Sequence, residues 1–203
     1  MKSLRQFLMI CFSSFLLVGL SVATAQIPSE ASAYKRQLRQ QSHHIWGLEA
    51  PVSTFAAQIH QESGWHANAR SRVGALGLSQ FMPSTANWIS EIYPDLATNA
   101  PTNPVWAMRA LVRYDRFLYD RVTAVNQCER MAFALSAYNG GLGWVNKRKA
   151  RSTDPLICLG KTCDINPGIA PANQRENTTY PRRILLRHEP MYVKAGWGKG
   201  SCK

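Results

Sequence analysis

The sequence lacks any run of alternating apolar and polar residues long enough to make a half-buried strand, which excludes a sheet-based core. Apolar residues recur at helical spacing instead, and the expected fold class is mainly α. Acidic residues are scarce: 12 Asp and Glu stand against 24 Lys and Arg, for a net charge of +12. That balance suits anionic partners, whether nucleic acid, anionic lipid or an anionic wall polymer. Only 5 cysteines occur, without the paired C-x-x-C units of a zinc site. His60 and His66 flank Glu62 without an H-E-x-x-H arrangement, which argues against a zinc protease. His43 and His44 are adjacent, so on a helix they point apart and make a poor metal pair. Gly74 and Gly77 follow no strand in the way a nucleotide loop demands. No metal or cofactor is expected.

Residues 1–25 read as a secretory leader. Lys2 and Arg5 are its positive start, Phe7 to Val22 its apolar stretch, and Ala23-Thr24-Ala25 its small-residue cleavage site. The expected location is periplasmic or exported, with no stable membrane span once the leader is cut. Export disfavours nucleic acid as a partner. Removing the leader takes Cys11 away and leaves Cys128, Cys158, Cys163 and Cys202, an even set that implies disulfides in an exported chain. Three pairings are open. The favoured one joins Cys158 to Cys163 in a short loop and Cys128 to Cys202, tying the tail to the body. The one tight basic cluster, Lys147-Arg148-Lys149 with Arg151, reads as a solvated helix face.

The remaining length suits one domain with one substantial core. A polar lead-in helix is expected within 26–48, the main domain over 49–193 and a glycine-rich tail over 194–203, held only by Cys202. Pro83 opens a helix that Pro94 ends, and Asn103-Pro104 caps another that runs to about Val122. Asp115 lies near the apolar stripe of that helix and is expected to pair with a neighbouring Arg. A further helix spans about Cys128 to Tyr138 and halts at Asn139-Gly140-Gly141. A Pro- and Gly-rich loop covers 151–173, and Tyr180 is expected to precede a last helix.

The rest of the chain is arranged around the stretch from Ala56 to Ala86. Pro51 and Gly64 bracket a helix in which Val52, Phe55, Ala56 and Ile59 make an apolar stripe, and Glu62 continues it. A carboxyl on an inward stripe, at the negative end of the helix dipole, favours its neutral form. A raised pKa suits a general acid near neutral pH. The plain alternative is a terminal Glu that points to water. Downstream, Gly74, Ala75 and Gly77 let the backbone approach a ligand closely. Gln80 offers both donor and acceptor to a sugar amide or hydroxyl.

Glu62-Ser63, then Gly74-Ala75-Leu76-Gly77-Leu78-Ser79-Gln80-Phe81-Met82-Pro83-Ser84-Thr85-Ala86, then Ala137-Tyr138-Asn139-Gly140-Gly141 stand in order, followed by a looser Glu176-Asn177-Thr178-Thr179-Tyr180. This series resembles the catalytic domain of the soluble lytic transglycosylase family over about residues 50–187. Ser79 replaces a usual Met, and Pro181 follows the tyrosine. The resemblance implies a lysozyme-like fold with a substrate cleft. It also implies non-hydrolytic cleavage of the MurNAc-β-1,4-GlcNAc bond of peptidoglycan to 1,6-anhydroMurNAc products. Glu62 would be the catalytic acid and base; Ser63, Gln80, Phe81, Tyr138, Asn139 and Tyr180 would bind or orient the substrate. The acids nearest to Glu62 in sequence, Glu49, Glu91 and Asp95, lie outside these elements, consistent with one-acid catalysis. The partners implied are glycan strands and a secretion or conjugation apparatus that needs the wall opened locally. Two alternatives stay open: a lysozyme-type muramidase that delivers water, and a non-catalytic wall-binding assembly protein.

Overall fold

α2 (Val52–Ser63) is buried residue by residue from Val52 to Ile59, the signature of a helix enclosed on all sides. The structure, a computed structural model, describes residues 26–202; the leader expected over residues 1–25 lies outside them. Around α2 the chain is helical: α1 (Ala31–Trp46), α3 (Pro83–Ile92), α4 (Pro104–Asp120), α5 (Gln127–Gly140), α6 (Leu142–Arg151), α7 (Pro171–Arg182) and α8 (Glu189–Lys194). Among the described residues the only β pairing is two isolated bridges, Arg70 to Leu76 and Leu76 to Phe81, inside the loop after α2.

Local chemistry sets the helix ends. Asn103 accepts from the backbone N–H of Val105 at 2.9 Å and of Trp106 at 3.2 Å, and Pro104 takes the first helical position of α4. Asn126 caps α5 through the N–H of Glu129 at 2.9 Å. Gly64 closes α2 in the left-handed conformation at φ 58°, which suits glycine. α5 is a second core helix, buried from Met131 through Ala137. The lead-in helix α1 joins the same core: it packs on α4 and α2, buries Leu38, and Trp46 donates to the Val112 carbonyl at 2.9 Å. Each buried Leu, Ile or Phe in that core stabilises by about 1.5–3 kcal/mol.

α7 does not stop at Pro181. The helix runs on through a π-helical turn, Arg183–His188, directly into α8. Pro181 has no N–H for the preceding turn, and the ladder after it widens from α to π spacing. Tyr180 therefore sits inside a helix and not ahead of one. Four cysteines form two disulfides, Cys128–Cys202 and Cys158–Cys163.

Three sequence expectations are corrected by packing. Arg148 is not on a solvated face: it is fully buried, with Nε donating to the Ile165 carbonyl at 3.0 Å and Nη2 to Gln174 Oε1 at 2.8 Å. α6 faces the 152–170 loop at this position, and the long side chain reaches both the loop's Ile165 carbonyl and Gln174 of α7. Asp115 pairs with no Arg among the described residues: it is fully buried on α4, where Gln58 Nε2 donates to Oδ1 at 3.3 Å. The tail is held by far more than Cys202. Trp197 is buried against Trp65 and Tyr192, Ser53 binds the carbonyls of Gly198 and Lys199, and buried Glu189 accepts from Thr54 and from the N–H groups of Ser201 and Cys202.

Candidate active site

A cavity of about 510 Å³ opens between the end of α2, the loop 64–82 and the wall formed by α5 and α7. Glu62, in the last turn of α2, lines it beyond the fully buried stretch from Val52 to Ile59. Tyr180, from α7, donates its hydroxyl to Glu62 Oε1. Tyr138, near the end of α5, lies parallel to Tyr180 with ring centroids 6.4 Å apart. Its hydroxyl donates to the Ser79 carbonyl at 2.7 Å, joining α5 to the loop. Phe81 packs on Tyr138 and Tyr114 and completes the aromatic side.

The electrostatics follow from that packing. Glu62 keeps an opening to solvent through the cavity mouth, yet its carboxyl is surrounded by protein. Burial pushes its pKa from 4.5 up to about 8; the Tyr180 hydrogen bond opposes this and the negative Glu176 nearby adds to it. Burial, then the charge of Glu62, holds both Tyr180 and Tyr138 well above the usual phenol range, so both act as neutral donors. The arrangement thus keeps one proton on a carboxyl at neutral pH, in a cavity edged by aromatic rings and amides.

Gln80, Phe81, Tyr138, Asn139 and Tyr180 line the cavity with Glu62. Ser63 does not: its hydroxyl donates to the Leu78 carbonyl at 2.9 Å and clamps the loop onto α2. Gln80 turns its amide nitrogen inward, to the carbonyls of Gly77 at 2.9 Å and Ala69 at 3.2 Å, from a backbone at φ 47°. Gly77 serves packing, while a Cβ at Gly74 would meet nothing within 4 Å and Ala75 lines the cavity. A Cβ at Gly77 would meet the Pro101 carbonyl oxygen at 1.9 Å, so the close neighbour there is the protein's own backbone.

Glu176 is not among the acids nearest to Glu62 in sequence. It shares the cavity with Glu62 and accepts from Asn139 Nδ2 at 3.2 Å. Its signal was present: with Pro171 read as a first-turn proline, Glu176 and Tyr180 fall four apart on one helix face. Thr179 and Arg183 line the same wall. Buried Asn177 locks Asn139, donating to its Oδ1 at 3.0 Å and to the Ser136 carbonyl at 2.8 Å. Among the described residues no cluster of three or more His, Cys, Asp or Glu could hold a metal, and no helix is long and apolar enough to cross a membrane.

These features define a helical domain of the lysozyme-like kind, with a proton-holding carboxyl in an aromatic cavity. The chain belongs to the Transglycosylase SLT domain family, whose sequence model matches residues 43–157. It is similar to the membrane-bound lytic murein transglycosylase F of Shewanella denitrificans, 31% identical over 103 residues, covering 49% of this chain and 19% of that protein. The protein of the same name from Marinobacter nauticus is 27% identical over 172 residues, covering 83% of this chain and 32% of that one. The soluble lytic murein transglycosylase of Escherichia coli is 30% identical over 102 residues, covering 49% and 15%. The chain thus spans a third or less of the length of these relatives. The crystal structure of the 70 kDa soluble lytic transglycosylase of Escherichia coli superposes with a TM-score of 0.57 at 22% identity, covering 82% of this chain and 25% of that one. The complex of the 70 kDa enzyme with bulgecin A gives the same TM-score at 23% identity, covering 84% and 26%. This likeness establishes the fold.

Proposed function

We propose that this chain is a peptidoglycan lytic transglycosylase with residues 49–193 as its catalytic unit and Glu62 as its single catalytic acid and base. The observation that carries the reading is the Glu62 carboxyl itself: enclosed, held by Tyr180, and still protonated at neutral pH. A carboxyl in that state donates its proton to the glycosidic oxygen as the bond from MurNAc C1 breaks. The N-acetyl oxygen of the same sugar closes on C1 and takes the role of a protein nucleophile. Glu62, now a carboxylate, removes the proton from the 6-hydroxyl. That oxygen attacks C1 and releases the N-acetyl group, leaving a 1,6-anhydro ring and a regenerated acid. Tyr180 orients the carboxyl through both steps. Gln80, Phe81, Tyr138 and Asn139 contact the sugar, and Ser63 steadies the loop that carries Gln80 and Phe81. Membership of the SLT family and the murein transglycosylases among the relatives support the same substrate.

One observation favours a second reading. Glu176 places another carboxylate on the same cavity, and glycoside hydrolases use a carboxylate pair to activate water or form a covalent intermediate. Its hydrogen bond from Asn139 and its place on the outer wall favour a binding role. Mass spectrometry of products from purified peptidoglycan separates the two. Muropeptides lighter by one water and resistant to borohydride reduction are expected; reducible ends would make the protein a muramidase, and no release at all would sink both readings.

We place the protein in the periplasm or outside the cell, and its task as local opening of the wall for a secretion or conjugation apparatus. The basic charge that holds it to an anionic wall supports this. A deletion that alters general growth and leaves every envelope machine working would count against that task.

A further inference from the structure

Gln58 of α2 and Asp115 of α4 are both fully buried. Gln58 lies one helical turn before Glu62 on the same face of α2, and Tyr114, next to Asp115, lines the Glu62 cavity. Gln58 Nε2 donates to Asp115 Oδ1 at 3.3 Å, and among the described residues this is the only hydrogen bond between α2 and α4. The other oxygen of each group, Gln58 Oε1 and Asp115 Oδ2, is buried without a hydrogen-bond partner among the described residues. With Asp115 ionised both atoms are acceptors, so two costly orphans would lie on two groups that are already joined. One proton resolves both. Placed on Oδ2, it removes the buried charge and supplies the missing donor.

We propose that Asp115 carries a proton on Oδ2, donates it in a hydrogen bond to Gln58 Oε1, and acts as a positioning residue that fixes the end of α2 and, with it, Glu62. The positioning role rests on the reading of Glu62 as the catalytic acid. An acid and an amide joined by N–H···O and O–H···O bonds make a closed pair. Its two bonds are directional, so they set how α2 lies along α4, which apolar contacts alone do not. Burial holds the Asp115 carboxyl well above the usual carboxylate range; the Gln58 hydrogen bond opposes this and the negative Glu62 adds to it. The titratable groups that bear on Asp115 are Glu62 of α2, Tyr138 of α5, Tyr180 of α7 and Tyr114 of its own helix, and none of them is a cation. A neutral Asp115 also leaves Glu62 as the only one of these two carboxyls that changes charge. The carboxylate formed in the first step of the reaction then faces no second one from α4.

The proton is tested by denaturant unfolding of full-length protein carrying Glu62→Gln, with and without Asp115→Asn, from about pH 5 to about pH 8. Over that range Asp115 keeps its proton in the folded chain and loses it in the unfolded one. Its contribution is complete below the unfolded value and falls as pH rises. The protein with Asp115→Asn is therefore expected to gain on its parent by about tenfold in folding equilibrium constant for each pH unit. Parallel curves overturn the proton. Positioning is tested by turnover of soluble glycan strands in the chain that keeps Glu62. Asp115→Leu leaves Gln58 unpartnered and is expected to lower kcat by about 10- to 100-fold with KM unchanged; an unchanged kcat overturns the role. Asp115→Asn keeps both hydrogen bonds and is expected to restore kcat, with the alkaline limb of the pH–rate profile still at about 8 because no charge is removed. A limb moved downward would mean that Asp115 is ionised in the parent, and would overturn the proposal. Combining Gln58→Leu with Asp115→Leu removes both polar groups and recovers stability, while kcat is expected to stay low. Recovery of kcat along with stability would make the pair merely structural and overturn the positioning role. Failure of the parent to release anhydro products would overturn the reading of Glu62 instead, and the unfolding curves, which need no turnover, read the proton apart from it.

Discussion

Tyr180 and Glu62 lie 118 residues apart in the chain and share one hydrogen, donated from the phenol of α7 to the carboxyl at the end of α2. Two opposing effects meet on that carboxyl. Enclosure raises its pKa, and the phenol's hydrogen bond lowers it, with enclosure the larger. The outcome is an acid that keeps its proton through neutrality and has a fixed orientation toward the cavity.

Replacing Glu62 by Gln is expected to lower muropeptide release by about 10²- to 10⁴-fold, the usual contribution of a general acid. The same variant carries a stability signature. Glu62 ionises near 4.5 in the unfolded chain and near 8 in the folded one. Between those values the folded state holds more protons, so the favourable contribution is complete below the first, falls as pH rises and is gone above the second. Thermal melts should therefore show Glu62→Gln gaining on the parent from about pH 5 to about pH 8. Parallel pH curves for the two proteins would contradict the raised pKa.

Tyr180→Phe keeps the ring and its stacking on Tyr138 and deletes the donor. The carboxylate loses a stabilising hydrogen bond, so its pKa rises further. The alkaline limb of the pH–rate profile, where the acid loses its proton, should move upward from about 8, with a rate loss of about 10- to 100-fold from the freed carboxyl. A merely structural tyrosine would lower the rate without moving that limb.

Arg148→Ala should destabilise the protein by about 3 kcal/mol or more, because it strips charge-assisted donors from Ile165 and Gln174 and leaves a cavity beneath the 152–170 loop. Lys147→Ala, on the same helix and exposed, should change stability by less than about 0.5 kcal/mol. Denaturant unfolding compares the two, and equal losses would count against the buried assignment.

Removing Cys128–Cys202 should cost more than removing Cys158–Cys163. The first closes a loop with a separation of 74 residues and the second a separation of 5, for about 4 and about 2 kcal/mol in the chain-entropy picture. Paired Cys→Ser variants measured by denaturant unfolding give the comparison. The tail should stay docked in the first variant, since Glu189, Ser53 and Trp197 hold it independently.

Much of the site was legible along the chain. Val52, Phe55, Ile59 and Glu62 spell an inward stripe, and the prolines and asparagines at 83, 103 and 104 mark helix starts that the structure keeps. Residues whose meaning depends on a distant partner were misread. The Lys147-Arg148-Lys149 run looks solvated until the 152–170 loop covers its middle member. Asp115 looks like an Arg partner until α2 brings Gln58 to it. Glu176 belongs to a motif along the chain, but its place on the cavity follows from α7 starting at Pro171 and continuing through Pro181.

By itself the sequence determined the helical class, the inward carboxyl and the cysteine set, since periodicity, capping and composition act over a few neighbouring residues. Only the tertiary structure decided how far the Glu62 pKa rises, that Ser63 clamps a loop, and that Glu176 joins the cavity. Those outcomes depend on desolvation and hydrogen bonds between α2, α5 and α7, and such terms exist only once the helices enclose a common volume.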